Sequence, residues 1–218
     1  MMTSLRESYW QSRVYYLHFL GFLYFNAFLI AYIQNEALIG EDGLTPATLL
    51  LDRLHSSFPS QWDGFINHPT LFWYIPFTNE SLNKFSLLGC ALSLIPMLFG
   101  VANVAVLFFL WALYFSIVNI GQTWYSFGWE SQLLEVGFMA LFMVPFLSLQ
   151  KYPKLTPTSW VAVWGNRWLL FRIMIGAGMI KIRGDECWRD LTCMNYHYQT
   201  QPNPNPLSAY FHHNPGTV

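Results

Sequence analysis

Long runs without ionisable side chains set the pattern of this chain. Val14 to Ile33 holds no Asp, Glu, Lys or Arg over 20 residues, and Phe85 to Trp129 holds none over 45. A hydrocarbon layer about 30 Å thick is crossed by roughly 20 helical residues at about 1.5 Å each. The first run therefore fits one span, and the second is about twice too long for one. It must fold back on itself. Gly100 to Asn103, following Pro96, is the expected break, because glycine and asparagine tolerate the left-handed backbone that ends a helix. Spans are predicted at 14–33, 85–99 and 104–120. A fourth fits 128–149 and a fifth fits 160–181, separated by the turn-rich segment 150–159. The expected fold class is all-α, a polytopic membrane helical bundle of about five transmembrane helices, with four as the alternative.

Composition agrees with lipid as the solvent. Apolar residues make up 54% of the 218, aromatic residues 19% and charged residues 11%, against roughly a quarter charged in an ordinary soluble domain. The net charge of -1 carries no basic excess, so no nucleic-acid partner is expected. Arg6 and Arg13 precede the first run, which lacks a small-residue cleavage pattern and reads as a retained anchor.

The distribution of Lys and Arg orients the spans. A cytosolic N-terminus (1–13) puts Arg6, Arg13, Lys151 and Lys154 on one side against Glu7, with 150–159 as a cytosolic loop. The opposite, luminal side receives the 34–84 loop and the 182–218 tail, which hold nine acids against Arg53, Lys84, Arg183 and Arg189, with Lys181 at the end of the last span beside them. Cys187 and Cys193 then lie in an oxidising compartment, where they are candidates for a disulfide. Their C-x5-C spacing is neither a redox-active nor a standard zinc pattern. His197, His212 and His213 read as ordinary polar residues of a tail, and no metal or cofactor is expected. Asn79, in Asn79-Glu80-Ser81, is a candidate glycosylation acceptor on the luminal side. Cys90, inside the second span, reads as a small apolar residue.

Charges inside the predicted spans are the most informative residues, since each costs about 2.5–3.5 kcal/mol at bilayer depth unless it is paired or hydrated. Glu130 and Glu135 fall in the fourth span, Arg167 and Arg172 in the fifth. With the two helices antiparallel, Glu135 and Arg172 come to about 10 and 13 Å from the luminal end and are candidates for an intramembrane ion pair. The alternative is that each lines a small hydrated cavity. Glu130 is expected near water in the first turn of its helix, where the dipole favours a carboxylate. Arg167 is expected to extend toward the cytosolic face. No phosphate-binding glycine loop, nucleophile elbow or catalytic constellation occurs.

Two blocks carry a family resemblance: GQTWYSFGWESQLLEVGF (121–138), and WGNRWLLFRIMIGAGMIKIRGDECWRDLTCMNYHYQTQPNPNPLSAYFHH (164–213). They are similar to the lipase maturation factors over roughly the second half of the chain, and the span layout of the first half is compatible. The resemblance implies a multi-span, non-enzymatic protein of the endoplasmic reticulum membrane. Such a protein assists the folding, assembly and secretion of active lipases, lipoprotein lipase and hepatic lipase among them, together with the endoplasmic reticulum folding machinery. It also implies that family members continue into a larger luminal domain beyond this point, so the 182–218 tail is expected to be the start of that domain and the chain a C-terminally truncated or partial form. The pattern departs after His213. Two rival readings are a membrane enzyme akin to the vitamin K-dependent carboxylases, for which no base or cofactor site can be assembled, and a small transporter using Glu135 and Arg172.

Overall fold

A computed structural model describes residues 9–152, 157–200 and 206–214. Arg6, Glu7, Lys154 and the ends of the two termini lie outside the described residues. The described residues are all-α, with ten helices and no strand: α1 (Trp10–Ile39), α2 (Ala47–Ser57), α3 (Gln61–Asn67), α4 (Asn79–Phe99), α5 (Val104–Ile120), α6 (Gly128–Leu141), α7 (Trp160–Arg183), α8 (Glu186–Arg189), α9 (Met194–Thr200) and α10 (Pro206–His213). The chain divides into two compact units, Met1–Asn166 and Arg167–Val218, with the boundary inside α7. Each is described by itself.

In the first unit α1 is the central element. Its buried positions Val14, Leu17, Gly21, Tyr24, Phe28, Ala31 and Asn35 recur every three or four residues along one stripe, the spacing that aligns side chains on one helical face. Its outward face is equally apolar, with Phe19, Phe22, Ile30 and Ile33 exposed. Such a helix, apolar on every side, suits a lipid environment. By length and composition, α1 and α4 are each able to cross a membrane, and α5 is a shorter apolar helix.

The most extensive packing is between α1 and α4. Small residues make it possible: a Cβ built on Gly21 would lie 2.8 Å from the Met97 Cα and 2.9 Å from the Pro96 carbonyl carbon, and one on Gly89 would enter the Phe28 ring. At the same crossing His18 Nδ1 lies 2.8 Å from the Met97 carbonyl oxygen. The core beneath is aromatic, with the Tyr114 ring edge-on to Tyr24 and Phe28 at centroid distances of 6.0 and 5.6 Å.

Local chemistry places the helix ends. Thr78 caps α4, its hydroxyl accepting from Ser81 N while the Ser81 hydroxyl accepts from Thr78 N, so two otherwise unpaired amides are satisfied. At the other end Gly100 takes φ 63°, and Asn103 opens α5 by accepting from Val106 N at 2.9 Å. The charge-free run 85–129 thus holds the body of α4 and all of α5.

Three segments differ from the sequence expectation. The first helix continues past Ile33 to Ile39. The 34–84 segment is not a plain loop, since it holds α2, α3 and the start of α4. It is tied to α5, with Asn119 Nδ2 donating to the Pro69 carbonyl at 2.6 Å and Leu71 N donating to the Ser116 hydroxyl at 3.1 Å. Finally, the helix expected over 128–149 ends at Leu141. Pro145 has no N–H and disfavours a helical Val144. The released chain turns back, its Pro145 carbonyl accepting from Val104 N at 3.1 Å and its Leu147 carbonyl from Asn103 Nδ2 at 3.0 Å. Fourteen residues make α6 about 21 Å long.

In the second unit, Asp185 caps α8 by accepting from Cys187 N at 3.1 Å. The Cys187 carbonyl accepts from both Thr192 N and Cys193 N, closing a tight loop. Lys181 Nζ lies 4.9 Å from the centre of the Trp188 ring.

Candidate functional site

The residues singled out from the sequence fall in three places. Glu135 is half-buried on α6 in the first unit, whereas Arg167 and Arg172 are exposed on the part of α7 that belongs to the second. Cys187 and Cys193 are bridged, with Cα atoms 4.7 Å apart, and Cys90 is a free thiol on α4. Asn79 is the first residue of α4; its side-chain oxygen accepts from Glu41 N at 2.8 Å, and its own N donates to Glu41 Oε2 at 3.0 Å. Ser81, the third residue of the glycosylation acceptor, is the one engaged in the Thr78 cap. Among the described residues no three His, Cys, Asp or Glu side chains converge as a metal site would require.

Glu130 corrects the sequence reading. It does lie in the first turn of α6, as expected, but it is only 2% exposed. The segment before α6 folds over it. Gln122 takes φ 52°, and its side chain donates to the Thr45 carbonyl at 2.9 Å. Trp124 Nε1 donates to the Thr45 hydroxyl at 2.7 Å. These bonds pin the 121–127 connection to the segment that follows α1, and Glu130 and Asn35 line one cavity beneath it.

The result is a buried polar cluster at the junction of α1, α5 and α6. The Tyr125 hydroxyl donates to Asn35 Oδ1 at 2.8 Å. Burial, reinforced by the Glu130 charge and opposed by the Asn35 bond, pushes the Tyr125 phenol up to about 12. Glu130 Oε2, Asn35 Nδ2 and the hydroxyls of Tyr24 and Tyr114 are buried and have no hydrogen-bond partner. Each such group costs on the order of 1–3 kcal/mol, and two of them, on Glu130 and Asn35, line one cavity. Gly137 leaves the space that the Tyr24 hydroxyl fills. Beside the cluster is a cavity of about 190 Å³, lined by Asn35 and Glu130 together with Gln34, Trp124, Tyr125 and Trp129 among others.

A buried acceptor, an amide donor and several aromatic rings line this cavity. They lack the paired acid, base and nucleophile of a catalytic centre. The rings and the carboxylate all come from 124–130, inside the first of the two sequence blocks.

Helices apolar on all faces and a family assignment together define the class: this is an α-helical membrane protein. Residues 11–218 match the lipase maturation factor transmembrane domain family, and the chain belongs to that family. It is 49% identical to lipase maturation factor 1 of Homo sapiens over 212 residues, covering 95% of this chain and 37% of the relative. Against lipase maturation factor 1 of Bos taurus the identity is also 49%, with 95% and 38% covered. Lipase maturation factor 2 of Xenopus laevis is 34% identical over 212 residues, 94% of this chain and 29% of that protein. The chain thus spans little more than a third of the first of these relatives. No solved structure matches.

Proposed function

We propose that this chain is the membrane module of a lipase maturation factor of the endoplasmic reticulum, anchoring and positioning machinery that brings secreted lipases to their active assembled form. The observation that carries this reading is the family match across residues 11–218 on a fold whose principal helices are apolar inside and out. In this reading α1, α4, α5 and α7 cross, and α6, too short to span alone, makes the fifth crossing together with the chain that follows it to Leu149. The N-terminus is cytosolic, and the segment after Lys181 is luminal, where an oxidising milieu sustains the Cys187–Cys193 bridge. The role is that of a folding assistant and not of an enzyme, a reading supported by the family match. Clients are lipases of the lipoprotein lipase and hepatic lipase type.

Replacing the corresponding region of human lipase maturation factor 1 with residues 11–218 of this chain tests the proposal. In cells lacking their own factor, the chimera is expected to restore secretion of active lipase. A chimera that is inserted and stable yet restores none overturns the assignment of function to this module.

A further inference from the structure

The Glu130 cavity has a composition and a depth that its bundle role leaves unexplained. We propose that it binds the ammonium headgroup of a membrane phospholipid, with Glu130 as counter-ion and the rings of Trp124, Tyr125, Phe127 and Trp129 as the apolar wall. The inference rests on the chain being membrane-embedded, as the family assignment states, and not on any lipase client.

Three observations carry it. First, the cavity is lined by a carboxylate and four aromatic side chains, the combination that recognises alkylammonium groups through charge and ring quadrupole. Second, Glu130 and Asn35 are 2% and 1% exposed and both line the cavity, each with an unpartnered polar atom. Among the described residues no Lys, Arg or His pairs with Glu130. A primary ammonium donates to the carboxylate and a quaternary one is held there by charge and by the ring faces, while the unpartnered Asn35 Nδ2 is a donor suited to the phosphate or ester oxygens behind it.

Third, the depth is right. Arg13 marks one end of α1, donating to the carbonyls of Met143 and Lys151 at 3.3 Å each. Asn35 lies 22 residues further on, about 33 Å along the helix axis, close to the hydrocarbon thickness of about 30 Å. Polar contacts resume there, as between Glu36 and Asn83 at 3.1 Å. The cavity's α1 lining runs from Ala27 to Leu38, about 21 to 38 Å from Arg13, so it straddles the boundary between acyl chains and headgroups, and Phe127 and Trp129, both more than 45% exposed, occupy the interfacial belt where aromatic residues collect.

The test uses the purified full chain, delipidated in detergent and titrated with phosphatidylethanolamine, phosphatidylcholine or phosphatidylglycerol of identical acyl chains, with bound lipid counted by native mass spectrometry. One site is expected to prefer the ethanolamine or choline lipid over the glycerol lipid by at least about tenfold, the scale of one desolvated cation–ring contact. Glu130→Gln and, separately, Trp129→Ala are expected to abolish that preference. Equal binding of all three lipids overturns the proposal, as does a preference that survives Glu130→Gln. If Glu130→Gln does not fold, a preference unchanged in Trp129→Ala, a substitution at the exposed rim, overturns it equally. Free ethanolamine is the control for source: binding as tight as that of the lipid overturns the assignment to a lipid. Carbonate extraction of the same variants keeps the outcomes separate, since a chain retained in the membrane without headgroup preference defeats this inference and leaves the family reading standing.

Discussion

Gly21→Ala is the sharpest test of the packing. The added methyl group would sit 2.8 Å from the Met97 Cα and 2.9 Å from the Pro96 carbonyl carbon, where ordinary contact begins near 3.4 Å. Both obstacles are backbone, so no side-chain rotation relieves them, and α1 and α4 must separate by roughly 0.5–1 Å. A gap of that size forfeits about a quarter to a half of the dispersion energy of the contacts it opens. It also stretches the 2.8 Å contact between His18 and the Met97 carbonyl. Overpacking of this kind costs about 1–3 kcal/mol, which lowers the melting temperature of a chain this size by roughly 2–10 °C. The measurement is thermal unfolding in detergent micelles, with Gly128→Ala as the control, since a Cβ at Gly128 meets nothing within 4 Å. A Gly21→Ala variant as stable as the parent refutes the close approach of α1 and α4.

Other predictions follow from the cluster and the tail. Burial holds Tyr125 neutral with its ionisation near 12 against an ordinary 10.0. Because the folded value is raised, the stabilising contribution is complete below about pH 10 and is lost as pH climbs through about 12. It amounts to ~3 kcal/mol, and ultraviolet titration of Tyr125→Phe is expected to show one fewer high-titrating tyrosine than the parent. Under denaturing conditions a maleimide reagent is expected to label one cysteine, Cys90, without reductant and three with it, whereas three adducts without reductant would disprove the Cys187–Cys193 bridge. In the Asn79 acceptor, Ser81 is held by the Thr78 cap and Asn79 by Glu41, so an endoglycosidase is expected to shift little of the parent chain and more of Thr78→Ala, which frees Ser81. Complete glycosylation of the parent would show that the cap forms too late to protect the site.

The legible parts of the fold are those written in local signals. Gly100 and Asn103 are the residue types that end and begin helices, and α4 and α5 stop and start at them. The segment 34–84 was harder, because α2 and α3 are short and mixed in polarity, and their order depends on bonds to Thr45, Ser116 and Asn119 that no window of sequence displays. Pro145 was visible in the sequence, yet the absence of charge around it outweighed its effect on the helix. Glu130 departs from its local rule at larger scale. A first-turn carboxylate is ordinarily wet, and here it is buried beside a cavity shared with Asn35, 95 positions earlier, and Trp124. A conspicuous density of Trp and Tyr before an isolated acid, TWYSFGWE, was the available signal.

The central claim is that these apolar helices cross a membrane and deliver the segment after Lys181 to the oxidising side. Glycosylation mapping tests it directly: acceptor sequons are placed singly in the 150–152 segment and after Asp190, and the chain is translated with microsomes. The account predicts modification after Asp190 and none at 150–152. Modification at 150–152 with none after Asp190 would contradict it.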